Sequence, residues 1–265
     1  MTNLIIVKLG GSVITHKESS PPRIDQKNLH RIATELTSHD GQLIVVIGGG
    51  AFGHQAAHKF GFGNPDTDSK QLLTGIPEIR HNMLILASRV EDELSNQGIP
   101  CVVISPFMFV TLSDNMIEHF PLEIIKQTMN SGITIIIHGD VCFDETKTAA
   151  ILSGDTIAKY LAEQLHPKSV FIGTNVDGVM DDNPIENPNA KHIPLINNSN
   201  KDEVLAVTGP SSSMDVTGGM TKKITELLNL ASQDMDIVIF NLLVPNRLVA
   251  LIENESVICT KIQSN

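Results

Sequence analysis

Six glycine-rich residues, 48–53, follow directly on the apolar segment 43–47 and precede His54, and this feature most restricts how the chain can fold. The apolar segment predicts a buried strand. A strand that ends in three glycines brings backbone N–H groups close to an anion that side chains would hold off. A helix that begins there directs its positive end at the same anion. We therefore predict a phosphate-binding turn between a central strand and a helix.

A second strand-to-glycine turn lies near the N-terminus. Residues 4–9 are apolar except for Lys8, and they lead into Gly10-Gly11-Ser12. An isolated ammonium group in such a strand would be costly, so we expect an anionic partner for Lys8. Either turn alone could be an ordinary tight turn, in which glycine is common. The two together, with a lysine and a histidine, favour a polyphosphate that is held from both ends.

Other nucleotide-binding patterns fit less well. Gly48, Gly50 and Gly53 match G-x-G-x-x-G, but the dinucleotide fingerprint also needs a second strand that ends in an acidic residue. Residues 60–74 are polar and irregular and offer no such strand, so a nicotinamide enzyme is disfavoured. The sequence contains neither the Walker element G-x-x-x-x-G-K-[ST] nor the H-R-D and D-F-G motifs of protein kinases.

The apolar segments alternate with helical patterns, which is typical of a parallel sheet covered on both faces. We predict the α/β class, as an αβα sandwich with an open, mainly parallel central sheet and no linker between separate domains. Residues 141–152 predict a hairpin on top of the sheet, and 76–97 predict a long helix that could form a dimer face. The predicted strands are 4–9, 43–47, 101–104, 133–137, 169–172, 237–240 and 256–262.

Composition excludes several classes of function. The net charge of −11 argues against broad nucleic-acid binding, which needs a basic face. No apolar run is long enough for a membrane span, and no signal-peptide pattern is present, so we expect no membrane partner and a cytoplasmic location. The three cysteines form no C-x-x-C pair and are expected to be buried free thiols.

Phosphoryl transfer needs cationic and N–H donors around the transferred group. Four lysines lie next to glycine-rich turns, and any one of them could be an ordinary surface residue: Lys8, Lys17, Lys222 and Lys223. Asp155 stands at a helix start, where it could be a simple cap or could hold lysines in place. His54 can donate to an acceptor phosphate or be structural. Metal binding by His54 and His58 is rejected, because Gln55 replaces the glutamate that the H-E-x-x-H motif requires.

Taken in order, five motifs resemble the amino acid kinase superfamily over nearly the whole chain: residues 8–12, 48–50, 153–155, 174–178, and 217–220 with Lys223. Within that superfamily, residues 48–54 are similar to the branch that contains isopentenyl phosphate kinase and fosfomycin kinase. The resemblance implies an acceptor-binding lobe over about 1–165 and a nucleotide-binding lobe over about 166–265. It also implies ATP and Mg²⁺ as cofactors, with no protein side chain assigned as a metal ligand.

The resemblance assigns residues to three roles. The catalytic set is Lys8, Lys17, His54, Asp155 and Lys223, with Asp155 orienting the lysines around the γ-phosphoryl group. The acceptor would be bound by Gly10, Gly11, Gly49, Gly50, Ala51, Gly53, His54, Gly139 and Asp140. The nucleotide would be bound by Lys8, Gly10, Ser12, Thr174, Asn175, Asp177, Gly178, Gly218, Gly219 and Lys223.

The resemblance implies that the acceptor is a small phosphorylated or phosphonate compound. Residues 12–15, 137–141 and 215–220 look more like isopentenyl phosphate kinase than fosfomycin kinase. Five apolar residues could line a prenyl pocket or belong to the core: Met83, Leu86, Phe107, Met108 and Phe109. Four positions depart from the isopentenyl phosphate kinase pattern and leave fosfomycin open as the acceptor: His16, Ile47, Thr156 and Leu242-Leu243. A carboxylate kinase and a nucleotide-binding regulator without catalysis are the further alternatives, and a homodimer is expected.

Overall fold

A computed structural model describes residues 3–182, 187, 189–207, 219–231 and 235–263, and for 219–223 it describes the backbone alone. The strands are β1 Ile5–Leu9, β2 Thr15–His16, β3 Arg23–Ile24, β4 Leu43–Ile47, β5 Cys101–Ile104, β6 Thr111–Ser113, β7 Met116–His119, β8 Thr134–His138, β9 Asp140–Asp144, β10 Thr148–Leu152, β11 Ser169–Thr174, β12 Val179–Met180, β13 His192–Ile193, β14 Leu195–Ile196, β15 Asp236–Asn241 and β16 Cys259–Ile262. The helices are α1 Gly11–Ile14, α2 Gln26–Leu36, α3 Gly50–Lys59, α4 Ser69–Asn96, α5 Glu123–Asn130, α6 Gly154–Leu165, α7 Lys201–Val207, α8 Gly219–Leu230 and α9 Arg247–Ile252, with a 3₁₀ turn at Pro106–Met108.

The central sheet is mainly parallel and has the strand order β14-β16-β15-β11-β1-β4-β8-β5. Only β15 and β16 pair antiparallel among its described strands. Apolar side chains on the two faces form two buried clusters: α2, α3, α4 and α9 contribute to one, and α5, α6, α7 and α8 to the other. Burial on both faces explains why the central strands are apolar throughout, and the predicted α/β sandwich is confirmed.

A smaller sheet of four strands, in the order β10-β9-β6-β7, lies beside the carboxyl edge of the central sheet. Its β9 and β10 pair antiparallel, which confirms the hairpin predicted at 141–152. The strands β6 and β7 were not expected, because each is short and their alternating polar residues give no strong apolar run.

The long helix α4 begins seven residues before its predicted start, so the expectation that 60–74 is irregular throughout is wrong. The Asp68 side chain caps the helix by accepting a hydrogen bond from the Gln71 amide at 2.9 Å. The Ser69 and Thr148 hydroxyls, 2.8 Å apart, attach this first turn to the β9–β10 hairpin. The apolar spacing used for the prediction begins only at Ile76, so it could not reveal the earlier turns. Within the described residues, no helix has both the length and the apolar character to cross a bilayer.

Candidate active site

The two glycine turns predicted from the sequence meet at the carboxyl edge of the sheet. Because β1 and β4 are adjacent parallel strands, their turns leave the sheet side by side. A Cβ atom added to Gly11 would lie 2.1 Å from the Gly50 backbone nitrogen, and one added to Gly48 would lie 2.9 Å from the Gly11 nitrogen. The backbones therefore touch, and any side chain here would force them apart. Since the first N–H groups of a helix lack intrahelical acceptors, the starts of α1 and α3 place amide donors together.

Two further glycines extend this backbone contact to α6. A Cβ at Gly154 would lie 3.0 Å from the Ile47 carbonyl oxygen, and one at Gly139 would lie 3.2 Å from the Gly154 nitrogen. Ser153 caps α6 by accepting a hydrogen bond from the Thr156 amide at 3.1 Å. The N-terminus of α6 thus packs directly on the turn after β4, which places Asp155 at the same edge.

Lys8 and Asp155 form an ion pair at this edge. The Lys8 Nζ lies 3.1 Å from Asp155 Oδ1 and 3.3 Å from Oδ2. The Lys8 side chain is 8% exposed and that of Asp155 is 20% exposed. The anionic partner expected for Lys8 is therefore present, although 147 residues separate the two in sequence. A buried ammonium group beside glycine turns can neutralise a transferring phosphoryl group.

The other predicted catalytic residues occupy different surroundings. His54 is half-buried in the first turns of α3, the helix that starts in the triglycine turn. Lys17 is exposed in the turn that follows β2, and among the described residues it forms no ion pair. Lys223 belongs to α8, of which only the backbone is described at this position. Gly219 is the first residue of that helix, and Gly218 lies outside the described residues.

The predicted acceptor residue Asp140 is buried, with 2% exposure. Its Oδ1 accepts a hydrogen bond from the Val141 amide at 2.9 Å. Its Oδ2 accepts one from the Ser105 hydroxyl at 2.9 Å and a longer one from the Phe107 amide at 3.4 Å. The carboxylate is therefore used to hold neighbouring chain segments together.

The predicted pocket residues divide into two groups. Met83 and Leu86 are fully buried and belong to the core, whereas Met108 is 73% exposed. Phe107 and Phe109 are partly buried against opposite apolar clusters. Met83 lies beside α3, since its Sδ would be 3.0 Å from a Cβ placed on Gly53.

Four of the predicted nucleotide residues lie at or just after the end of β11, which pairs with β1 and β15: Thr174, Asn175, Asp177 and Gly178. The buried Thr174 hydroxyl donates to the Val176 carbonyl at 3.0 Å, which shapes the turn in which the exposed Asn175 lies. Gly178 has φ +140°, and a Cβ there would lie 2.4 Å from the Thr260 Oγ1. Only glycine fits that position without strain.

Asp177 forms an ion pair that the sequence did not predict. Arg247 donates to its Oδ1, and the Asn241 side-chain amide donates to the same oxygen at 3.1 Å. Partial burial alone would raise the pKa of Asp177, but the hydrogen bonds from Arg247 and Asn241 outweigh it and hold the pKa below its usual value. Arg247 is 70 residues away in sequence, so no local pattern could have indicated the pair.

A second unpredicted group attaches α2 to the segment after β15. Arg31 pairs with the buried Glu35 one turn further along α2 and also donates to the Leu242 carbonyl. The same Glu35 oxygen, Oε1, accepts from the Asn246 amide at 3.0 Å. The i, i+4 spacing of Arg31 and Glu35 was visible in the sequence, but their contact with residues 242–246 follows from the fold alone.

Backbone amides of glycine turns, beside a buried ammonium group, suit phosphate groups, although the Ala51 amide here donates to the Thr15 hydroxyl at 3.1 Å. Fold and site together define an α/β protein that binds phosphates at the carboxyl edge of a parallel sheet. The model of the amino acid kinase family matches residues 3–241, and the chain belongs to this family. The resemblance inferred from the motifs is thereby confirmed.

Similar proteins are named isopentenyl phosphate kinases. One from Methanothermobacter thermautotrophicus is 34% identical over 98% of this chain and 98% of its own length. One from Methanocaldococcus jannaschii is 36% identical over 83% of this chain and 85% of its own length. A crystal structure of isopentenyl phosphate kinase matches with a TM-score of 0.86 and 33% identity, covering 98% of this chain and all of the other.

The residues present fit a magnesium nucleotide through its phosphates. The glycine turns bring backbone together that any Cβ would force apart, and Lys8 supplies a buried positive charge at the same edge. In the part of the chain that the structure describes, no group of three or more His, Cys, Asp or Glu residues is arranged to hold a metal ion.

Proposed function

We propose that this chain is an ATP-dependent kinase that transfers the γ-phosphoryl group to isopentenyl phosphate and releases isopentenyl diphosphate and ADP. The observation that carries the proposal is the buried Lys8–Asp155 pair beside the touching turns of Gly11 and Gly50. The similarity to isopentenyl phosphate kinases over nearly the full length supports the acceptor. Isoprenoid biosynthesis is the corresponding process.

In the proposed reaction an oxygen of the acceptor phosphate attacks the γ-phosphorus in line with the bond to the β-phosphate oxygen. That bond breaks, and ADP leaves with its electron pair, so no covalent enzyme intermediate is needed. Lys8 neutralises charge on the transferring group, and Asp155 holds Lys8 in place. Mg²⁺ bound with the nucleotide supplies further charge neutralisation. We assign Lys17 and Lys223 the same role as Lys8, which is to neutralise charge on the transferring group.

The N-terminal lobe, about 1–165, would bind the acceptor, and the lobe from about 166 would bind the nucleotide. His54 would donate to the acceptor phosphate from the first turns of α3, where the helix dipole also favours an anion. The amides of the turns after β1 and β4 would bind phosphate oxygens from both sides. The turn of residues 174–178 would contact the nucleotide, with Asp177 positioned by Arg247.

Removal of the His54 side chain tests this assignment. His54→Ala should raise KM for isopentenyl phosphate and lower kcat, because the acceptor phosphate loses a donor, while KM for ATP changes little. The control is His58→Ala, since His58 is exposed on the same helix. Full turnover by His54→Ala with every phosphorylated acceptor would refute the role.

Fosfomycin is the second candidate acceptor, because His16, Ile47 and Thr156 depart from the isopentenyl phosphate kinase pattern. We expect kcat/KM to be higher for isopentenyl phosphate than for fosfomycin in a side-by-side comparison. An ADP-release assay with both acceptors also tests whether the chain is a regulator without catalysis, since a regulator would release no ADP with either.

We also propose a homodimer in the cytoplasm. Three apolar side chains are exposed on α4 and could pack against a second copy: Leu73, Leu84 and Ile85. Light scattering on a sizing column would give the mass of the assembly. All three cysteines are free thiols, which fits a reducing compartment.

A further inference from the structure

A chain of polar contacts links helix α4 to the ends of two strands. The Arg80 Nη2 donates to the Ser105 hydroxyl at 3.3 Å, and that hydroxyl donates to Asp140 Oδ2 at 2.9 Å. Arg80 lies in α4, Ser105 directly follows β5, and Asp140 begins β9 after β8. The Asp140 carboxylate is thus linked to the Arg80 guanidinium through the Ser105 hydroxyl, and Nδ1 of the buried His138 lies 3.9 Å from the same carboxylate oxygen.

Two of these residues, Arg80 and Asp140, also hold Phe107. The Arg80 guanidinium lies over the Phe107 ring, with Cζ 4.1 Å from the ring centroid. The Phe107 amide donates to Asp140 Oδ2 at 3.4 Å. The ring also packs at 5.2 Å against Phe143 of the β9–β10 hairpin. Phe107 is therefore held through its backbone by Asp140 and through its ring by Arg80.

This network lies at the acceptor end of the site. Arg80 precedes Met83 by one turn of α4, and Met83 Sδ lies 3.0 Å and 3.8 Å from Cβ positions built on Gly53 and Gly49. The strand order β1-β4-β8-β5 places the ends of β8 and β5 beyond the triglycine turn, on the side opposite β11 and β15. The proposed function puts the acceptor phosphate next to His54, and this side of the sheet, away from the nucleotide residues, is then the side available for its organic group.

We propose that Arg80 is a positioning residue that, through Ser105 and Asp140, holds Phe107 as a wall of the acceptor pocket. It thereby limits the size of the organic group on the phosphate monoester. The inference rests on the proposed function, because it concerns the acceptor of that same reaction. Loss of the guanidinium frees the Phe107 ring, so a small acceptor loses packing and a bulkier acceptor gains space.

The test compares Arg80→Met with Arg89→Met. Arg89 lies on the same helix, is 62% exposed and pairs only with the exposed Asp92 among the described residues, so it controls for loss of a surface charge. Kinetics are measured with isopentenyl phosphate and with geranyl phosphate. For Arg80→Met we expect KM for isopentenyl phosphate to rise about tenfold, the size of one cation–π contact plus one hydrogen bond. The geranyl/isopentenyl ratio of kcat/KM should rise, and KM for ATP should stay within about twofold. In Arg89→Met, KM for isopentenyl phosphate and the acceptor ratio should both stay unchanged.

Two further variants keep the test decisive if Arg80→Met does not fold. Ser105→Ala breaks the link to Asp140, and Arg80→Lys keeps the charge but loses the planar stack on Phe107. Both variants should raise the geranyl/isopentenyl ratio of kcat/KM, but by a smaller factor than Arg80→Met does. A merely structural role would lower the melting temperature and raise both KM values together. An unchanged acceptor ratio in folded Arg80→Lys and Ser105→Ala would overturn the inference.

The two proposals fail in different ways. If the unchanged enzyme does not turn over isopentenyl phosphate, the proposed function fails. Calorimetric binding of isopentenyl phosphate and geranyl phosphate to the unchanged chain and to the variants then measures the size limit directly. A shift of the affinity ratio toward geranyl phosphate in the variants supports the wall, and an unchanged ratio refutes it.

Discussion

Replacement of Lys8 by methionine separates the stability of the buried ion pair from its catalytic effect. At 3.1 Å and an effective dielectric constant of about 20, the attraction between Lys8 and Asp155 is about 5 kcal/mol before the cost of removing both charges from water. Breaking a buried pair costs about 3–5 kcal/mol, because the remaining charge stays buried. Asp155 keeps 20% exposure, so we expect a lower value, about 2 kcal/mol.

The effect on catalysis should be larger than this loss of stability. Removal of one donor that stabilises transition-state charge costs about 10²–10³ in kcat. We therefore expect Lys8→Met to lower kcat by that factor in an ADP-release assay. Its melting temperature should fall by about 4–8 °C, given about 2–4 °C for each kcal/mol in a chain of this size. In the double variant Lys8→Met/Asp155→Asn the unpaired carboxylate is gone, so stability should recover while kcat stays low.

Lys59→Met is the matched control. Lys59 also forms an ion pair, 2.6 Å from Glu78, but its side chain is 59% exposed and that of Glu78 is 41% exposed. Exposed pairs contribute about 0–1 kcal/mol, so this variant should keep its kcat and nearly all of its stability. A kcat of Lys8→Met within about threefold of the unchanged enzyme would refute the electrostatic role of the pair.

Three further predictions concern other parts of the molecule. Gly11→Ala should abolish activity and lower the yield of folded protein, because its Cβ would lie 2.1 Å from the Gly50 nitrogen; circular dichroism and turnover measure this. Arg247→Met should lower the free energy of unfolding above about pH 4, where Asp177 is charged in both states, and the difference should vanish as pH falls through the lowered pKa of Asp177. Denaturant titrations at several pH values measure this difference, and equal stability of the two proteins at every pH would contradict a role for the pair. Cys142 should resist thiol reagents in the folded protein, because burial raises its pKa far above the usual range; rapid labelling seen by mass spectrometry would contradict this.

The parts of the fold that local pattern determines were predictable. Apolar segments such as 43–47, buried on both faces, indicated central parallel strands. Local sequence also explains the start of α2, where the Asp25 side chain accepts from the Asn28 amide at 3.0 Å. The start of α4 was not predictable from apolar spacing. Its first two turns depend on the Asp68 cap and on a contact with Thr148 of the hairpin, which lies 79 residues from Ser69.

The candidate site also has a part that local sequence predicts and a part that depends on the fold. The glycines and Lys8 could be identified because a buried strand and the turn that follows it are formed by adjacent residues. Asp140 was expected to bind the acceptor, yet its oxygens accept from Ser105 and Val141, and only the packing of β5 beside β8 brings Ser105 there.

The sequence alone determined the buried central strands and the glycine turns that can approach an anion, because these properties depend on residues within one or two turns of chain. The tertiary structure decided which side chains pair: Lys8 with Asp155, Asp177 with Arg247, and Arg80 with Ser105. Those pairs join residues 25 to 147 positions apart. Their energies arise from burial and from distances of a few ångströms, and both exist only after the strands have been ordered in the sheet.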